Sequence, residues 1–417
     1  MKRTIVLWAC LVLLAVFPIS AQEAADPVSG NGLLELLRYI PDSPEAVSPL
    51  LSYVDYRALE ASRAGAAQPD SWVEWDRLNG ANDDSAEYWM AAFMGLNSGP
   101  SMLVQTFILA ENWPTLIGFD FFDVDRAIEY GTPPSQVQMV AGDFDEEAIV
   151  AAFTARDYTA DARGDLTLLC SAAGCEEGQS MNLDSRNPAI PFGGQLGRQE
   201  VLLLAGDHLV NSPDHLMIEA HIEALNGETD TLADNGTYLA AAEAAAHEGM
   251  LIQATIAHAA EFGPQTLIDR RLSPEQVEAI MEALAKDFVP IPQFDLVVIA
   301  DAATETEQVA TLGLVYASRE DAEAAVSALP QRIESYTSMS SRQSLMDLLA
   351  DRGATYSTQV LDSTAGDAAV ALVVFRAPLA GDQRTDGRLM PSSMVYRLLV
   401  QMLYQRDLGW LSPALPE

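Results

Sequence analysis

Apolar and polar positions along the chain repeat one local arrangement: a β-branched apolar run, a short polar cap, then an amphipathic helix. The first case runs Val137-Gln138-Met139-Val140, then Gly142-Asp143-Phe144-Asp145, then a helix through Ile149 and Phe153. Asp145 suits an N-cap, and Glu146 and Glu147 suit a first helical turn. The second runs Val201 to Ala205, then Ser212-Pro213-Asp214, then Leu216 to Leu225, with Ser212 as cap and Pro213 in the first helical position. The third joins Val309–Tyr316 to a capping box at Ser318-Arg319-Glu320-Asp321 and a helix reaching Leu329. The fourth joins Ala369–Phe375, through a polar loop, to Ser392 or Ser393 and a helix over Met394–Gln405.

The first and third cases, and the second and fourth, lie at similar offsets, which suggests a duplication. Upstream, Met102-Leu103-Val104-Gln105 recurs as Met250-Leu251-Ile252-Gln253, and Pro114-Thr115-Leu116-Ile117 recurs loosely across Pro264–Ile268. A longer helical insert, Ser273 to Lys286, absorbs the change in offset. The pattern predicts an α+β protein of two tandem, duplicated domains, 32–226 and 232–411. Each is an antiparallel or mixed sheet with helices packed on one face. The join falls at Asn226-Gly227-Glu228-Thr229-Asp230, a polar turn segment. Within the first domain, residues 170–199 form a long irregular loop of the kind that is functional or mobile.

The N-terminus reads differently. Lys2 and Arg3 precede an unbroken apolar run, Ile5 to Phe17, and small residues ending at Ala21. That is a secretory signal peptide, cleaved after Ala21. An apolar run this short falls below what a bilayer span needs. Residues 22–31 are a polar lead-in. No later stretch is long enough to span a membrane, so the mature chain is expected to be exported: periplasmic, cell-surface or extracellular. Cys10 leaves with the signal, and Cys170 and Cys175 remain, most simply as a disulfide.

Charge now narrows the partners. The 417 residues hold 23 Lys and Arg against 60 Asp and Glu, a net charge of −37. Loss of Lys2 and Arg3 takes it to −39 and leaves Lys286 as the sole lysine. Nucleic acid is excluded as a partner, because its binding rests on cationic side chains.

Catalytic motifs are missing one by one. His247-Glu248 lacks a second zinc ligand, since position 251 is Leu251. No Gly-x-Ser-x-Gly, phosphate loop or Gly-x-Gly-x-x-Gly occurs. Lys286, near a helix end, complements the dipole there. His215 and His221 stand six apart on one helix and cannot share a metal; His208, His247 and His258 have no matching partners. No catalytic residue, metal ligand or cofactor follows.

Two features suggest binding. Trp72, Trp75, Trp89 and Trp113 crowd one stretch, and Trp72 and Trp75 share a helical face behind Asp70 or Ser71. They are candidate contacts for a ligand or protein partner, with core packing as the alternative. The acids Asp120, Asp123, Asp125, Asp143, Asp145, Glu146 and Glu147 could supply oxygen ligands to calcium, although Asp123 and Asp145 suit helix caps.

The segments Gly118-Phe119-Asp120-Phe121-Phe122-Asp123-Val124-Asp125, Gly131-Thr132-Pro133-Pro134 and Gly206-Asp207-His208-Leu209-Val210-Asn211-Ser212-Pro213 carry a resemblance. The chain resembles uncharacterised bacterial exported proteins classed only as domains of unknown function, over the middle third. The resemblance implies no catalytic residues. The expected role is a non-catalytic binding or envelope-accessory protein with an unknown protein or small-molecule partner. The alternatives are a metal-independent hydrolase using paired carboxylates and a calcium-stabilised surface protein.

Overall fold

A single sheet of twelve strands in antiparallel pairing organises the chain. The computed structural model describes residues 31–413 except 47–49, 63–68, 82, 263–272, 274, 276–288, 365 and 379–393. The signal segment, Lys286, the stretch Pro264–Ile268 and the caps Ser392 and Ser393 lie outside the described residues.

The strands are β1 (Leu50–Asp55), β2 (Val124–Tyr130), β3 (Val137–Gly142), β4 (Tyr158–Arg163), β5 (Leu166–Ser171) and β6 (Val201–Ala205). Then come β7 (His208–Ser212), β8 (Met250–His258), β9 (Leu296–Ala303), β10 (Glu307–Tyr316), β11 (Thr355–Asp362) and β12 (Ala369–Pro378). Their spatial order is β11-β12-β10-β9-β8-β1-β2-β3-β7-β6-β5-β4. The pair β1 with β8 joins the strands drawn from residues 50–212 to those drawn from residues 250–378, and sets Ser52 opposite Thr255 and Val54 opposite Gln253. Outward from it the order is β1-β2-β3-β7-β6-β5-β4 on one side and β8-β9-β10-β12-β11 on the other.

The helices are α1 (Gly32–Leu37), α2 (Tyr56–Ala61), α3 (Trp72–Gly80), α4 (Asp84–Met94), α5 (Ser101–Thr106) and α6 (Trp113–Leu116). They continue with α7 (Glu146–Thr154), α8 (His215–Leu225), α9 (Gly236–Ala245), α10 (Arg319–Ser335), α11 (Leu345–Ala350) and α12 (Met394–Tyr404). The fold is α+β. The expected packing on one sheet face holds for α2–α7 and α10–α12, whose apolar residues join alternate strand positions such as Val54, Ala127, Leu312 and Leu314. The structure adds a second layer, α1, α8 and α9, on the opposite face. The reason lies in the strands: β9 is buried at every position and β10 from Val309 on, so both faces need cover. Gly313 allows it, since a Cβ there would sit 2.8 Å from Val370 and 2.9 Å from Val298, within 3.6 Å of Ala244 on alanine-rich α9.

Local capping follows the expected chemistry in two cases. Asp145 accepts from the backbone of Glu147 and Ala148 to open α7, and Ser318 accepts from Asp321 to open α10. At α8 the cap moves two residues on. Asp214 accepts from Leu216 N, while Ser212 ends β7 and accepts from Asp214 N at 3.0 Å. One repeat dissolves: Met102–Gln105 lies on α5, whereas Met250–Gln253 opens β8. Short apolar strings suit a buried helix as well as a strand, and the surrounding packing decides between them.

Candidate functional site

The tryptophans do not form an exposed platform. Trp72, Trp75, Trp89 and Trp113 are all buried, in a cluster with Phe93, Phe107, Phe121 and Phe122. Trp89 stacks on Phe93 with ring centroids 5.3 Å apart, and Trp72 Nε1 donates to the Phe107 carbonyl at 3.1 Å. Helical spacing put Trp72 and Trp75 on one face as expected; that face turns inward, because burial of large rings outweighs any gain from exposing them.

The acidic cluster is likewise occupied with structural work. Asp120 caps the turn at Phe121–Asp123 and accepts from Trp72 N at 3.0 Å, while Asp123 accepts from Asp120 N at 2.7 Å. Asp125 pairs with Arg57 at 2.5 Å, and Glu146 accepts from the Thr167 hydroxyl at 2.7 Å. Among the described residues, no three His, Cys, Asp or Glu side chains gather as a metal site would require. His221 is fully buried against the Tyr130 hydroxyl, and burial lowers its pKa to about 4. His208 lies under the Tyr39 ring at 4.2 Å.

A different cleft draws together the segments the sequence had singled out. It encloses about 220 Å³ between the β2–β3 turn, the end of β7 and the last part of the 170–199 loop. Strand pairing builds its floor. Gln138 on β3 faces Asn211 on β7, and Leu202 of β6 pairs with Asn211 from the other side. Pro133, Pro134 and Pro213 supply apolar wall, and Leu196 adds to it. The loop is ordered by three 3-10 turns, at Cys175–Gln179, Leu183–Ser185 and Gly194–Leu196, and by a disulfide between Cys170 and Cys175, with Cα atoms 4.9 Å apart. Backbone bonds from Asn187 N to Gly194 O and from Arg198 N to Gly193 O, both 3.0 Å, fold its far end over the cleft.

Three side chains give this cleft its chemistry. Glu200 is 7% exposed, and burial raises its carboxyl pKa to about 7 against the opposing pull of Arg198 and a hydrogen bond from Asn211. Gln138 is 6% exposed, and its Oε1 finds no hydrogen-bond partner among the described residues. The Arg198 Nε is also buried with no partner among them. A buried polar atom left unpaired costs about 1–3 kcal/mol, so two in one cleft are unusual. Glu200, Gln138, Arg198 and Asn211 escape a reading by motif, since each is a common residue type in a strand or loop. The available signals were the neighbouring Gly131-Thr132-Pro133-Pro134, Gly193-Gly194 and Asn211-Ser212-Pro213.

No family model matches the chain, and no curated protein matches it. Among solved structures, crystal form I of TP0453 aligns with 80% of this chain and 90% of that one, at 8% identity and a TM-score of 0.31. Crystal form III of TP0453 aligns with 81% and 92%, at 6% identity and a TM-score of 0.29. Among the described residues, no helix is long and apolar enough to cross a membrane.

Proposed function

We propose that this chain is an exported, non-catalytic binding or envelope-accessory protein, and that the Glu200 cleft is its binding site. One observation carries the reading: a buried carboxyl group shares a cleft with buried Gln138 and half-buried Arg198, whose buried atoms Oε1 and Nε lack partners among the described residues. A bound group whose polar atoms reached these two would supply the partners they lack. The volume is below the roughly 300–1,000 Å³ of pockets for drug-sized ligands, so the occupant is a small molecule or one side chain of a partner. Among the described residues Glu200 is the sole carboxylate lining the cleft, which favours binding over a paired-carboxylate hydrolase. Export is supported by the basic-then-apolar start, by small residues up to Ala21, and by the disulfide.

The test is an NMR titration of ¹⁵N-labelled protein with a set of small neutral, cationic and anionic molecules. Shifts clustered on Gln138, Arg198 and Glu200 support the reading. A folded protein whose cleft resonances respond to none of them sinks it. Export is checked separately: protein recovered from outside the cytoplasm should begin at Gln22.

A further inference from the structure

The residues of the cleft also bear on what it binds, an inference that rests on its being a binding site. Arg198 and Glu200 place one cationic and one acidic side chain in the same small space. A cationic ligand would face the guanidinium, and an anionic one the carboxylate once Glu200 ionises above about pH 7, so above that pH neither gains cleanly from the site. The unmet atoms point the same way. Gln138 Oε1 can only accept a hydrogen bond, and Arg198 Nε can only donate one. They sit on separate elements, the strand β3 and the loop before β6, so donor and acceptor are wanted at two places. Pro133, Pro134, Pro213 and Leu196 supply the apolar part of the wall.

We infer that the cleft recognises a neutral planar amide, whose N–H is accepted by Gln138 Oε1 and whose carbonyl accepts from Arg198 Nε. An amide carries its donor and acceptor on two atoms of one plane, and its flat faces lie well on proline rings. A carboxylate lacks the donor, and an ammonium lacks the acceptor. The amide could belong to an Asn or Gln side chain or to a peptide bond, both of which present the same pair of groups.

The experiment titrates labelled full-length protein with acetamide, N-methylacetamide, sodium acetate, methylammonium chloride and ethanol, following cleft resonances at constant pH and ionic strength. Acetamide mimics the side-chain source, and N-methylacetamide the peptide bond. One of the two should bind at least about tenfold more tightly than the other three probes, the worth of one good hydrogen bond. Gln138→Leu and Arg198→Lys should each weaken that amide by about tenfold, and the latter keeps the charge while removing Nε–H. Should Gln138→Leu fail to fold, Arg198→Lys decides. Preference for acetate, methylammonium or ethanol, or an amide affinity unmoved by Arg198→Lys, overturns the amide assignment and leaves the cleft a binding site. Silence from every probe removes the binding reading itself.

Discussion

Gly193 lies so close to Glu200 that a Cβ on it would stand 2.7 Å from the carboxyl carbon. Its φ is +73°, in the region that favours glycine, and the same Cβ would meet Arg198 at 2.8 Å. Gly193→Ala therefore combines backbone strain with displacement of two cleft side chains. Gly164 offers a control, with φ +67° and open space around its Cβ. We expect Gly164→Ala to cost about 1–2 kcal/mol, from the left-handed backbone alone. Gly193→Ala should cost more and also change the NMR environment of Glu200. Equal losses from the two variants, in urea unfolding, would show that Glu200 is not held against residue 193.

Glu200 should make the protein less stable as pH rises. Its folded carboxyl keeps the proton to about pH 7, whereas a glutamate in the unfolded chain loses it near 4.5. Between those values the folded state binds more protons, so stability falls with rising pH, by about 3 kcal/mol in total. Glu200→Gln removes this loss. The variant should match wild type near pH 4 and exceed it at pH 8, and equal pH slopes for the two proteins would count against the buried carboxyl.

His221 works in the opposite direction. Its folded pKa is about 4 against 6.5 in the unfolded chain, so the unfolded state takes up the proton first. Stability present above pH 6.5 is lost on acidification toward 4, again by about 3 kcal/mol. His221→Gln keeps an acceptor for the Tyr130 hydroxyl and should abolish the acid loss. Because the two windows overlap with opposite sign, the two contributions oppose each other in wild type. Each single variant should then tilt the profile, in opposite senses, and parallel profiles would contradict the pair of assignments.

The aromatic cluster should matter for stability and be indifferent to binding. Trp113 is 0% exposed, and Trp113→Ala should cost about 3–5 kcal/mol. Val73, 70% exposed on the same helix as Trp72 and Trp75, should tolerate Ser within about 0.5 kcal/mol. Thermal unfolding of both variants checks this. A Trp113→Ala protein as stable as wild type would put the ring outside the core.

How far these features could be read from the sequence depended on their range. The caps Asp145 and Ser318 act within three residues, so local pattern placed them correctly. The paired cysteines, five apart, were equally local. The face on which Trp72 packs depends on Phe107 and Asp120, 35 and 48 positions away, and helical spacing carries no information about that. Glu200 looks like any surface glutamate until β3 and β7 bring Gln138 and Asn211 to it. Its burial is a property of strand pairing, and single-residue chemistry cannot express it. The second helical layer was hidden for a related reason: unbroken apolar strands signal burial on two faces without saying which helix covers each.

The place of the β1–β8 pair has a consequence for any shortened form of the chain. Leu50–Val54 and Gln253–Ala257 satisfy each other's backbone groups in the interior of the sheet. Division near residue 230 would turn both strands into bare edges, each a row of unmet N–H and C=O groups backed by apolar side chains. The half carrying β1 would then have its best available mate in a second copy of itself. Fragments made to study either side alone should associate, and the intact chain avoids this by supplying both strands of the seam.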